Sequence, residues 1–266
     1  MTSKLMGVVN VTPDSFSDGG LYLDPEAAIA HGRELAEGGA EILDVGGEST
    51  RPGAEEVSVE EELRRVVPVV EGLRGLEAVV SVDTSKAPVA AAALDAGAEI
   101  VNDVTALRGD PEMAALCAER GCGVVLMHML GSPRTMQDDP RYDDVVAEVK
   151  AFLAERLEAA VAAGIPEEGI WLDPGIGFGK TLAHNTELLR RLGELRELGR
   201  PLVVGTSRKS FIGRLDGSPA SERLGGTIAS SLLAATNGAE VLRVHDVAAV
   251  QQALQVAAAV LDRRFL

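Results

Sequence analysis

Side chains able to hold or move charge recur in this chain where short apolar runs end. Asn10 follows "LMGVV", and Asp44, Glu48, Thr50 and Arg51 follow "EIL". Asp83 closes "AVVSV", Asn102 and Asp103 close "EIV", and Met127 and His128 close "GVVL". Asp173 follows "GIWL", Ser207, Arg208 and Lys209 follow "PLVVGT", and Arg243 and His245 belong to "EVLRVH". Two chemistries separate. Arg51, Arg243 and His245, with Asn10 and Thr50, make a basic pocket, and the planar fork of arginine suits a phosphate. The alternative for Arg51 and Arg243 is structural pairing with Asp44 or Glu48. Asp83, Asn102, Asp173 and Lys209 form the second set. Carboxylates and an amide facing an interior are costly unless they meet donors, so they hold a metal or bond a ligand rich in N–H groups. Four histidines in the whole chain, with His31 and His184 on helical stretches, argue against a metal cage. Met127 and Phe178 beside the acids suit a flat nitrogen heterocycle whose edge is hydrogen-bonded and whose face is packed, with Lys209 at a ring carbonyl.

The elements that must position these groups repeat one rhythm. Eight β-branched runs lie at 5–11, 41–47, 78–84, 99–104, 123–129, 169–175, 201–207 and 240–245. Between them run segments of helical spacing such as "PEAAIAHGRELAEGGA" and "DDVVAEVKAFLAERLEAAVAAG", several ending on a glycine that suits a helix C-terminus. Near-continuous apolar strands alternating with helices imply a parallel sheet covered on its faces. Eight such units in 266 residues fit a closed (β/α)8 TIM barrel, a single domain over 1–266, while periodicity alone also permits an open doubly wound sheet. In a barrel, strands 1, 2 and 8 are neighbours, which gathers the basic set. The polar groups at the C-terminal strand ends fall where such barrels carry their chemistry. Singly, Thr84, Ser85 and Asp103 are equally explained as turn or helix caps.

Composition narrows the partners. A net charge of −16 opposes nucleic acid and anionic membranes, so any anion needs a local basic cluster. No apolar run approaches the roughly 20 residues of a membrane span. Cys117 and Cys122 are the only cysteines, too few for a disulfide framework, and suit reduced packing residues in a soluble cytoplasmic protein. "PGIGFGKT" (174–181) nearly matches a phosphate-binding loop. Pro174 takes the first glycine's place and has no N–H to offer, so that reading fails. Phe16 stands among the turn formers of "TPDSFSDGG", either tucked onto a helix or serving a ligand.

The motifs "GVVNVTPDSFSDGG", "DVGGESTRPGA", "SVDTSK", "IVNDV", "LMHM", "LDPGIGFGKT", "GTSRKSFIG" and "RVHDV" span the chain. Together they resemble the dihydropteroate synthase family, whose fold is the same barrel. Leu130 departs from the arginine that members often carry, which affects a peripheral loop contact. The resemblance implies condensation of 6-hydroxymethyl-7,8-dihydropterin diphosphate with p-aminobenzoate to 7,8-dihydropteroate and pyrophosphate. It implies that Asp83, Asn102, Met127, Asp173, Phe178 and Lys209 bind the pterin. Asn10, Thr50, Arg51, Arg243 and His245 would hold the diphosphate, and Phe16, Thr50, Pro52, Lys209 and Ser210 the p-aminobenzoate. Asp83, Asp173, Lys209, Arg243 and His245 would be the catalytic set, with Mg²⁺ as cofactor on the diphosphate touching Asn10. A homodimer is implied as well. A related reading is a pterin-binding methyltransferase acting on methyltetrahydrofolate, which has no use for the basic pocket.

Overall fold

Each of the eight apolar runs forms a strand, and every neighbouring pair is parallel. The computed structural model describes residues 3–12, 24–50, 53–54 and 56–261. The strands are β1 (Lys4–Asn10), β2 (Ile42–Gly46), β3 (Val79–Asp83), β4 (Ile100–Asp103), β5 (Gly123–Met127), β6 (Ile170–Asp173), β7 (Val203–Gly205) and β8 (Val241–Val244). Pairing runs β6-β5-β4-β3-β2-β1-β8-β7. A Leu172–Leu202 bridge, with Leu172 N–H donating 2.9 Å to the Pro201 carbonyl, joins the two ends and closes the barrel. Closure removes the open-sheet alternative.

Helices α1 (Pro25–Glu37), α2 (Val59–Leu73), α3 (Ala87–Ala96), α4 (Met113–Arg120), α5 (Val145–Ala162), α6 (Leu182–Arg190), α7 (Ser210–Asp216), α8 (Leu224–Thr236) and α9 (Val247–Leu261) lie between and after the strands. Several begin where a side chain satisfies a helical N–H that has no partner within the helix. Asp24 caps α1, Ser58 caps α2, and Asp144 accepts from Val146 and Ala147 at the start of α5. Thr181 and His184 cap α6 reciprocally, so His184 is used structurally.

The pleat, with its period of two, divides each strand between two cores. Leu5, Val9, Leu43, Val45, Val80 and Val82 face the helices and belong to the large outer cluster. Met6, Ile42, Ile100, Val125, Val203 and Val241, with Val79 and Trp171, fill the N-terminal half of the barrel interior. Two residues further along the same strands stand Asp44, Ser81, Asn102, Asp173 and Arg243. An apolar plug therefore closes one end of the barrel, and a polar layer rests on it facing the other end.

Candidate functional site

Asp44 is the hub of that polar layer. It is 0 % exposed, and its carboxylate accepts from Ser81 Oγ at 2.7 Å, Asn102 Nδ2 at 3.0 Å and Arg243 Nε at 2.6 Å. Arg243 Nη2 reaches on to Asp83 Oδ2 at 2.8 Å. The two sets of the sequence reading are thus not separate at Arg243. Its guanidinium lies between Asp44 and Asp83, so the pairing weighed as the structural alternative is present, and it joins the basic set to the acidic one. Strand register causes this: Met6 sits opposite Arg243 and Val8 opposite Asp44, which carries Arg243 across β1 to β2. Burial works against the charge of Arg243, but Asp44 and Asp83 outweigh it and hold the pKa above its ordinary value. Burial likewise raises Asp83, to about 7, against the pull of Arg243 and with Asp44 adding to the rise.

Asp173 and Lys209 stand across the barrel. Burial raises the pKa of Asp173, while Lys209 opposes the rise. Burial lowers Lys209 to about 8, with Asp173 holding it up. Asp173 Oδ1 accepts from Gly175 N–H at 2.7 Å. The Lys209 amine donates to the Ile176 carbonyl and lies 4.8 Å from the centroid of the Phe178 ring. Phe178 packs on the cluster of Val104, Met127, Met129 and Met136. The predicted grouping of acids, lysine, methionine and aromatic is therefore present.

A cavity of about 470 Å³ opens over this layer, with Asn10, Thr50, Asp83, Phe178, Lys209, Ser210, Arg243 and His245 in its wall. Asn102, Met127 and Asp173 stand behind that wall, nearly buried. Phe16, Arg51 and Pro52 lie outside the described residues. Asp103 is a turn residue: it accepts from the Thr105 N–H and hydroxyl at 2.7 Å each and from Leu107 N–H at 2.9 Å.

Sequence reasoning gave no role to Ser207, Arg208 and Arg223, which also line the cavity. Ser207 Oγ lies 3.0 Å from His245 Nδ1 and accepts from the His245 N–H at 3.2 Å. Arg208 takes a left-handed backbone, φ 56°, which a non-glycine residue adopts at a cost. It is held there by Thr227 Oγ1 on its N–H and by Arg223 on its carbonyl, while its guanidinium bonds Asp246 at 2.5 and 2.9 Å. This turn aims Lys209 inward. The signal was Asp246 following His245, a carboxylate within reach of an adjacent loop.

An anionic ligand can therefore be met by Lys209, Arg208, Arg223, Arg243 and His245 at the cavity, and N–H donors by the carboxylates beneath. The family model described as "Pterin binding enzyme" matches residues 6–245. The dihydropteroate synthase of Escherichia coli (strain K12) is 50 % identical over 261 residues, covering 98 % of this chain and 92 % of that protein. Two solved structures of Xanthomonas albilineans dihydropteroate synthase match equally. The one with 4-aminobenzoic acid has a TM-score of 0.92 at 53 % identity, covering 98 % of this chain and 94 % of that one. The complex with 7,8-dihydropteroate has a TM-score of 0.88 at 50 % identity, covering 98 % and 95 %. A match of this depth along the whole barrel, including every strand that carries the polar layer, means that the chain belongs to the pterin-binding enzymes and, within them, to the dihydropteroate synthase family.

Proposed function

We infer that the protein is a transferase that joins 6-hydroxymethyl-7,8-dihydropterin diphosphate to p-aminobenzoate, forming 7,8-dihydropteroate and pyrophosphate. The observation that carries this reading is the layering of the cavity, with carboxylates and an amide beneath and cations around its wall. A 2-amino-4-oxo pterin edge presents N–H donors beside one carbonyl. Asp83 and Asp173 accept from such donors, Asn102 adds an amide, Lys209 donates to the carbonyl, and Met127 and Phe178 pack the ring face.

The bond between the pterin methylene and the diphosphate oxygen breaks, and its electron pair leaves on the diphosphate. Arg243 and His245, with Asn10 and Thr50 beside them, stabilise that gathering charge, and Arg51 is assigned the same role from the sequence. Asp83 and Asp173 favour the positive charge left on the pterin. The amine nitrogen of p-aminobenzoate then forms the new C–N bond. An arylamine is neutral near pH 7 and needs no protein base to attack, and the arylammonium formed is acidic enough to lose its proton to water. Ser210 and Thr50 line the space for the second substrate, with Phe16 and Pro52 assigned to it from the sequence.

Among the described residues no group of three or more His, Cys, Asp or Glu could hold a metal. A Mg²⁺ ion carried mainly by diphosphate oxygens needs only one or two protein oxygens, and the amide of Asn10 meets that requirement. Bound there, Mg²⁺ would neutralise charge on the leaving group.

A homodimer is supported by the exposed Leu233 of α8 and Val256 and Val260 of α9, which offer an apolar face to a second copy. Sedimentation at micromolar concentration distinguishes the dimer from the monomer. A cytoplasmic setting is supported by the two unpaired, buried cysteines. Among the described residues no helix is long and apolar enough to cross a membrane.

The test of the reaction is product identity. Incubation with both substrates and Mg²⁺ yields 7,8-dihydropteroate by mass spectrometry, with none when p-aminobenzoate is omitted. No product, or methyl transfer from methyltetrahydrofolate instead, contradicts the reading.

A further inference from the structure

The segment "PGIGFGKT" failed as a phosphate loop on its sequence, and its geometry shows a different use for the same residues. In a phosphate loop, backbone N–H groups and a lysine converge on an anion. Here the N–H of Gly175 is taken by Asp173 at 2.7 Å, and that of Gly177 by Asn185 Oδ1 at 2.6 Å. The carbonyls face the opposite way, and four in succession are each captured by a different side chain. Ile176 O accepts from Lys209, Gly177 O from Gln137 Nε2 at 2.7 Å, Phe178 O from Lys180 Nζ at 2.9 Å, and Gly179 O from the Tyr142 hydroxyl at 2.8 Å. Left-handed glycines at 175, 177 and 179, φ 66°, 88° and 63°, turn the chain at every second residue and make this alternation accessible.

Lys180 is the innermost of these donors. It is 1 % exposed, and its Nζ also lies 2.9 Å from His128 Nδ1, just beyond the end of β5. One amine thereby ties the loop after β6 to the end of β5. These are the two elements that carry Phe178 and Met127.

We propose that Lys180 is a positioning residue for pterin binding, fixing the Phe178 ring and the Ile176 carbonyl that aims Lys209. The amine touches neither substrate; it acts through the Phe178 carbonyl and His128. Its chemistry suits a fixed strut. Two partners at 2.9 Å, the Phe178 carbonyl and His128 Nδ1, hold the amine, whereas the His128 carbonyl lies at 3.5 Å. Burial drives the Lys180 pKa well below its ordinary value and lowers His128 to about 3. His128 is itself held edge-on against Phe152, with ring centroids 4.8 Å apart. The lysine of the decoy motif is thus turned into the protein, where it stiffens the wall of the pterin pocket.

The proposal rests on the pterin reading, and the experiment separates the two. Lys180→Met keeps the length of the side chain and removes the amine with its contacts to Phe178 and His128. Titration of pterin diphosphate into the full-length variant is predicted to show about tenfold weaker binding, and KM for that substrate to rise alike, with kcat at saturation within about threefold of wild type. Gln137→Leu removes the half-buried donor to the neighbouring carbonyl and is predicted to act in the same direction with a smaller size. A lower melting temperature with unchanged pterin affinity and KM in Lys180→Met makes the lysine merely structural and overturns the proposal. If Lys180→Met does not fold, unchanged pterin affinity in both Gln137→Leu and Tyr142→Phe overturns it, and weakened affinity in either supports it. Absence of pterin binding by the wild-type protein instead rejects the function proposed above.

Discussion

At the scale of single residues, the site depends on how charges are shared, and Arg243 shows why the sequence could name it but not place it. An arginine within a strand signals an interior ion or ligand contact; which acid it meets depends on register between β8, β1 and β2. From its position near a strand end, Arg243→Ala would be expected to spare the fold. Its contacts give a different result. Removing the guanidinium leaves Asp44, at 0 % exposure, and Asp83 without their cation. Urea unfolding of Arg243→Ala is therefore predicted to show a loss of about 3 kcal/mol, the usual scale for a broken buried pair, besides lost turnover. Unchanged stability would mean the pair is solvated in solution. The pH dependence of pterin binding follows from the same groups. Ionised Asp83 accepts from an N–H more strongly than the protonated acid, which also presents an O–H to donors, so affinity falls as pH drops through about 7. Lys209 must be protonated to hold its full donor strength, so affinity also falls as pH rises through about 8. Calorimetric titration across pH is predicted to give a bell between these limits, whose apparent values belong to the coupled set of groups. Lys209→Arg, which stays charged, is predicted to lose the alkaline limb, and a flat profile in the wild type would contradict the assignment.

At the scale of elements, the strands were legible because each is a short β-branched run bounded by turn formers, and seven of the eight fall within the ranges read from the sequence, β1 beginning one residue earlier at Lys4. The two-residue step from the apolar plug to the polar layer was also written there, as in Ile100 and Asn102, Trp171 and Asp173, or Val241 and Arg243. The loop after β6 was not legible in the same way. A lysine beside glycines ordinarily marks a solvated or anion-binding turn, and nothing local says that Lys180 points inward. The glycines give that loop its own prediction. A Cβ on Gly175 would lie 1.9 Å from the His128 carbonyl oxygen at φ 66°, whereas one on Gly217, φ 79°, meets nothing within 4 Å. Gly217→Ala is predicted to cost about 1 kcal/mol, the penalty of the left-handed backbone alone. Gly175→Ala is predicted to cost well beyond that and to weaken pterin binding, because β5 and the β6 loop must part. Equal costs in thermal unfolding would show that the loop relaxes freely.

At the scale of the whole molecule, a protein of net charge −16 places Arg208, Lys209, Arg223, Arg243 and His245 around one cavity that Asp83 also lines. The overall field repels polyanions, and the local cluster still admits a small one, which fits a substrate with an anionic tail and a hydrogen-bonding head. The barrel serves this division by making neighbours of β1, β2 and β8. It also buries an apolar plug beneath the polar layer, so the acids cannot retreat into water. The central claim is that the acids at the base of the cavity recognise the pterin edge, and Asp173 tests it most directly. Asp173→Asn preserves shape and replaces a carboxylate oxygen with a donor facing donors. Calorimetric titration of 6-hydroxymethyl-7,8-dihydropterin diphosphate is predicted to show a loss of about 2 kcal/mol, roughly thirtyfold in affinity, relative to wild type. Equal affinity in the two proteins would contradict the account.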